Sequence, residues 1–125
     1  MLGLTVKPDT TISKIKADKF DAVVFVGGVG AKKLFNDKKA HKLAKDAVKK
    51  KKVLGAICIA PSILANAGVL KGREATVYKS EKDNLEKHGA KFKDEDVVTD
   101  GKIVTANGPE AAEKFANALV KAIRQ

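Results

Sequence analysis

The amino-acid sequence predicts an α/β fold, and three observations carry that prediction. Residues Asp21 to Val26 (DAVVFV) and Val53 to Ile57 (VLGAI) are short, unbroken apolar runs. Neither alternates, so both faces of each are expected to be buried, as in central parallel strands. Between them, apolar residues recur at Ala40, Leu43, Ala44, Ala47 and Val48, which is one stripe of a helix. A further stripe at Ala112, Phe115, Ala116, Leu119 and Ile123 places a closing helix against the sheet.

Taken in order, strand, helix and strand make one βαβ unit. Asn36 is positioned to cap the helix, and Lys49 to Lys52 crowd its other end, where free carbonyls and the dipole favour cations. That lysine run reads as a helix terminus rather than a binding patch. After Ile57 the chain turns at once into a second helix, with Pro61 in its first turn and Gly68 available to end it. Ala75 to Tyr78 (ATVY) suggests another strand, and Glu81 to Lys87 a short helix. Val97 to Thr99 and Ile103 to Ala106 flank Asp100-Gly101, a two-residue hairpin signal. Gly108-Pro109 then opens the closing helix. No linker, repeat or low-complexity stretch interrupts residues 1–125, which are expected to form a single domain.

Composition narrows the function classes. With 44% hydrophobic residues the chain can build a core. No apolar run approaches the ~20 residues of a membrane span, and the N-terminus lacks a signal peptide's apolar stretch. The one cysteine cannot form an internal disulfide, which fits a reducing cytoplasm. The net charge of +10 is carried almost wholly by lysine, Arg73 and Arg124 being the only arginines. Base and phosphate readers favour arginine's planar fork, so this surface reads as a solvated, heat-adapted exterior rather than a nucleic-acid interface. Neither a membrane nor a nucleic acid is an expected partner.

Ligands of open α/β sheets collect outside the carboxyl ends of the strands. Three features converge there. In Ala56-Ile57-Cys58-Ile59-Ala60, small residues stand two positions either side of Cys58, as a nucleophile elbow requires. A lone cysteine is otherwise a small core residue. On the elbow, Cys58 would meet a helix N-terminus, which favours thiolate over thiol. Gly27-Gly28-Val29-Gly30 follows the neighbouring strand, and its bare backbone can offer an N–H to an oxyanion beside Cys58, joined by the N–H of Ile59. The same glycines also suit a plain strand-to-helix loop. Tyr78 is expected to end its strand near the same cleft, either lining it or packing with a wet tip.

The usual partners of a cysteine nucleophile are not evident. His41 falls between the stripe positions of its helix and is expected to be solvated; His88 precedes Gly89 and reads as a capping residue. Asp94, Glu95 and Asp96 read as a loop, and no metal-ligand cluster or cofactor motif is found.

Gly27-Gly28 and the stretch AICIAPSILANAGVLKGREAT, residues 56 to 76, resemble the ThiJ/PfpI family of the glutamine-amidotransferase-like superfamily. The similarity extends from about Leu4 to the helix after Asn107-Gly108-Pro109. It implies a flavodoxin-like three-layer sandwich with a mainly parallel sheet. It also implies a reactive cysteine at Cys58, oxyanion-hole amides at Gly28 and Ile59, and a homodimer or larger assembly. The activities implied are glyoxalase or deglycase action on small carbonyls or their protein adducts, with redox-sensing, chaperone-like and peptidase roles as alternatives. Three departures stand out. Family members begin with a strand, a helix and a strand that have no counterpart before Met1, and the acid that pairs with the cysteine lies there. The domain is therefore expected to be N-terminally incomplete, with an exposed sheet edge that another chain would fill. Ile59 stands where the peptidase branch has histidine, and Tyr78 where several members have histidine.

Overall fold

A computed structural model of the chain describes residues 3–4, 12–16, 20–27 and 29–125, with side chains from 22–27 and 32–125. In chain order the elements are β1 (Gly3–Leu4), β2 (Ile12–Lys16), β3 (Phe20–Val26), α1 (Lys38–Lys49), β4 (Val53–Ile57), α2 (Pro61–Asn66), β5 (Glu74–Ala75), α3 (Lys82–Lys87), β6 (Lys91–Phe92), β7 (Val97–Asp100), β8 (Ile103–Ala106) and α4 (Ala112–Arg124). The main sheet has the order β1-β2-β3-β4-β8-β7. Its centre is parallel: Ala22 to Val26 pair with Val53 to Ile57, and Leu54 to Ile57 pair with Ile103 to Ala106. Antiparallel strands flank that centre on both sides, β2 beside β3 and β7 beside β8.

The unbroken apolar runs are explained by two cores. Val23, Phe25, Leu54, Ala56 and Ile103 face α1 and α2, whereas Ala22, Val24, Val53, Ile57, Val104 and Ala106 face α4. A strand sends successive side chains to opposite faces, so a layer of helices on each face demands apolar residues at every position. Each fully buried Leu, Ile, Val or Phe here is worth roughly 1.5–3 kcal/mol of transfer free energy. Gly55 lets α4 approach closely: a Cβ there would lie 2.7 Å from Leu119 Cδ2 and 3.1 Å from Phe115 Cζ. This is the three-layer sandwich that the family resemblance implies.

Several details differ from the sequence reading. Asp37, not Asn36, caps α1, its carboxylate accepting from the amides of Lys39 and Ala40 at 2.8 and 3.0 Å. The buried stripe of α4 is Phe115, Leu119 and Ala122, preceded by Ala111; Ala112 and Ala116 face solvent. A 3₁₀ turn over Pro109–Ala111 precedes the helix, whose inward face keeps Phe115 and Leu119 and adds Ala122, with Ile123 partly buried beside it. The strand expected over Ala75 to Tyr78 is only Glu74–Ala75, and it pairs in parallel with β6 in a separate two-stranded sheet. Thr76 and Val77 are buried outside any ladder. β3 does not present a bare edge. β2 lies along it, with Ile12 to Ile15 opposite Phe25 to Ala22.

Candidate active site at the β4–α2 elbow

Cys58 follows the last residue of β4 directly and has φ = +66°, a left-handed conformation that costs a non-glycine residue roughly 1–2 kcal/mol. The turn is held from three sides. The Cys58 amide donates to the Ala106 carbonyl at 3.1 Å, its carbonyl accepts from the Tyr78 amide at 2.8 Å, and the Gly27 amide donates to the Ile57 carbonyl at 3.0 Å. Ala56 and Ala60, the small flanking residues, are fully buried. Strain at one residue is thus stabilised by hydrogen bonds to the ends of β3 and β8 and to the chain leaving β5.

Gly27 explains why its position bears no side chain. A Cβ would stand 2.6 Å from the Ala60 amide nitrogen, 2.8 Å from the Ile57 carbonyl oxygen and 2.8 Å from the Ile59 amide nitrogen. The bare Cα therefore lies against the elbow's own peptide groups. The Ala60 amide donates to Ile57 at 3.2 Å; among the described residues, the Ile59 amide has no backbone acceptor. An open N–H next to the cysteine is what an oxyanion site requires. Gly28, the other amide implied by resemblance, lies outside the described residues.

Tyr78 reaches the elbow through its backbone rather than as the end of a strand. Its side chain is 50% exposed, and its ring lies near Gly108, whose added Cβ would sit 3.9 Å from Tyr78 Cδ1. The Asn107-Gly108 corner after β8 completes this rim, a contribution the sequence reading missed. Its signal was available: a polar-glycine pair directly after an apolar strand marks the same carboxyl edge.

The electrostatics correct the expected activation. Cys58 is half-buried, and burial pushes its thiol above the ordinary range by disfavouring the charged form. α2, whose N-terminus follows the elbow, has only six residues. Among the described residues no group hydrogen-bonds the sulfur. The Glu81 amide donates to the Tyr78 carbonyl at 2.8 Å, and its carboxylate accepts from the buried Ser62 hydroxyl at 2.9 Å. His41 is half-buried rather than solvated, with Nε2 2.6 Å from the Phe35 carbonyl. His88 caps α3 as expected, its Nδ1 lying 2.9 Å from the Asn84 carbonyl. Among the described residues no three His, Cys, Asp or Glu side chains cluster as metal ligands would.

A three-layer α/β domain with a cysteine on a left-handed strand-to-helix turn defines a class of protein, and the class has a name. The chain belongs to the DJ-1/PfpI family, whose pattern matches residues 1–122. An uncharacterized protein of Methanocaldococcus jannaschii is 41% identical over 128 residues, spanning 100% of this chain and 62% of that protein. A deglycase of Pyrococcus horikoshii is 34% identical over 122 residues, spanning 98% of this chain and 74% of the enzyme. The crystal structure of a ThiJ/PfpI domain protein from Brachyspira murdochii superposes with a TM-score of 0.83 at 31% identity, covering 99% of this chain and 76% of that one. This chain thus spans less than two thirds of its Methanocaldococcus relative and about three quarters of the other two.

Proposed function

We propose that this chain acts on reactive small carbonyls or their protein adducts, in the manner of a glyoxalase or deglycase, with Cys58 as nucleophile. One observation carries the reading: a non-glycine residue held at φ = +66° on the carboxyl edge of β4, beside an amide without a backbone acceptor. Sustained strain at a reactive side chain points to function rather than packing. The deglycase name of the Pyrococcus relative supports the substrate class. Cys58 sulfur, as thiolate, adds to the aldehyde carbon and the carbonyl π electrons move to oxygen. The Ile59 N–H, joined by Gly28 as the family resemblance implies, donates to that oxyanion. Protonation gives a hemithioacetal. With methylglyoxal its C1 proton then passes to C2 through an enediol, so that C1 is oxidised and C2 reduced within the one molecule. Water cleaves the resulting thioester to lactate and the free thiol. Gly27 and Tyr78 line the approach. A homodimer or larger assembly in the cytoplasm belongs to the same proposal.

A second reading is favoured by the thiol itself. Burial raises it, and no described group stands ready to take its proton, as fits a non-catalytic redox-sensing or chaperone-like protein. Lactate formation from methylglyoxal, measured for the native chain and for Cys58→Ala, separates the two. Turnover that disappears with the sulfur supports the enzyme. Equal turnover from both, or none from either, refutes it.

A further inference from the structure

The end of the sheet opposite Cys58 carries a concavity. A cavity of about 210 Å³ is lined by Val48, Lys51, Lys52, Arg73, Lys102 and Ile103. Four of those six residues are cationic; the wall itself is mainly apolar, so their stems line more of it than their charged ends do, and Arg73 is paired with Asp100 at 3.5 Å. They come from three separate stretches of chain: the end of α1, the segment leading into β5 and the β7–β8 turn. Lys51 and Lys52 precede β4 and Cys58 follows it, so five residues of strand, about 17 Å at the usual rise, separate this cavity from the elbow. It is not part of the site described above.

The placement of Lys51 is costly. α1 ends with the Lys52 amide donating to Ala47 at 2.8 Å and the Lys51 amide to Val48 at 3.1 Å, the paired bonds of a Schellman termination. The residue between helix and strand is then left-handed, and here it is Lys51 at φ = +58°, where glycine is the usual choice. Only two non-glycine residues among those described have positive φ, Lys51 and Cys58. The paired amides satisfy helix carbonyls that would otherwise present negative charge to the cavity. Asp100 takes one Arg73 nitrogen at 3.5 Å and the Glu74 amide at 2.9 Å. A guanidinium has five N–H donors, so most of Arg73's capacity is uncommitted to Asp100.

We propose that this cavity binds a small organic phosphate ester, its phosphate held by Lys51, Lys52, Lys102 and Arg73 and its short carbon body resting on Val48 and Ile103. The volume sets the size. At roughly 30 Å³ per water, the space equals about seven waters, enough for a three- to five-carbon ester and below the ~300 Å³ where larger ligands begin. The apolar pair distinguishes the site from a patch that binds free phosphate alone.

Calorimetric titration of the native chain with glycerol 3-phosphate, inorganic phosphate and glycerol tests this. The ester is expected to bind more tightly than phosphate, glycerol not at all, and added salt to weaken the ester. In the double variant Lys51→Gly, Lys102→Ala, two charged donors are gone and affinity falls about tenfold or more. Lys51→Gly alone relieves the left-handed strain, so its melting temperature is expected to hold or rise while ester affinity falls. That pattern separates loss of a ligand from loss of the fold. Alkylation of Cys58 is expected to be unchanged, which keeps this test independent of the elbow. Equal binding of ester and phosphate, or full affinity in the double variant, overturns the proposal. So does a single-stranded oligonucleotide that binds these lysines and is not displaced by the ester.

Discussion

Replacing Gly27 by alanine puts one methyl group against three backbone atoms of the elbow, at 2.6, 2.8 and 2.8 Å. Ordinary van der Waals contact begins about 0.6–0.8 Å farther out, and none of the three atoms belongs to a side chain that can swing away. Strand β3 must therefore retreat from β4, or the elbow must move. Either stretches the 3.0 Å bond from the Gly27 amide to the Ile57 carbonyl. Overpacking of this kind costs about 1–3 kcal/mol, and rigid neighbours place this case in the upper half of that range. For 125 residues the entropy of unfolding is about 0.26 kcal/mol/K, so the melting temperature is expected to fall by about 8–12 °C. Thermal unfolding by circular dichroism measures that. The rate of Cys58 alkylation by iodoacetamide, taken well below the transition, reports whether the sulfur has shifted. A melting temperature within 2 °C of the native value, with an unchanged alkylation rate, would show that Gly27 does not abut the elbow as described.

Three further outcomes follow from the same geometry. Because burial raises the Cys58 thiol, alkylation and turnover are expected to climb with pH through a midpoint above the ~8.5 of a free cysteine; a midpoint below that value contradicts the desolvated site. The sign for stability is opposite: the folded chain holds the proton to higher pH than the unfolded chain does. This contribution is therefore complete below the unfolded value and is lost as pH rises through the folded one, which urea midpoints between pH 7 and 10 would reveal. Strain at φ = +66° predicts that Cys58→Gly is more stable than Cys58→Ala by about 1 kcal/mol, or about 4 °C, even though both abolish the nucleophile. Equal melting temperatures for the two variants would remove the argument that Cys58 is held under strain.

The sequence by itself determined the fold class and the placement of the cysteine, because both are written locally. Unbroken apolar runs at Val53 to Ile57 and Asp21 to Val26 mean two covered faces wherever they occur. Small residues at Ala56 and Ala60 permit a sharp turn whatever surrounds it. The hairpin after β7 was legible for the same reason, but its turn lies one residue later than expected: Asp100 pairs with Ile103, and Gly101, at φ = +63°, and Lys102 make the turn. Boundaries were less legible. Asn36 and Asp37 are both competent caps, and only the achieved bonds to Lys39 and Ala40 chose between them. In α4, Phe115 and Leu119 were legible as inward-facing, whereas the exposure of Ala112 and Ala116 was set by what the sheet covers.

Tertiary structure alone decided what depends on distant neighbours. The expected low thiol became a raised one because desolvation sums over every residue packed around Cys58, including the strand ends at Gly27 and Ala106. His41 found the Phe35 carbonyl through the path of the chain into α1, not through its helical phase. β2 could not be anticipated as the strand beside β3, since pairing is a relation between segments and Ile12 to Lys16 carries no strong pattern of its own. The lysines at 51 and 52 read as a helix end, and that reading holds. Only the folded sheet brings Arg73 and Lys102 to the same cavity, where a terminus and a turn together become a site.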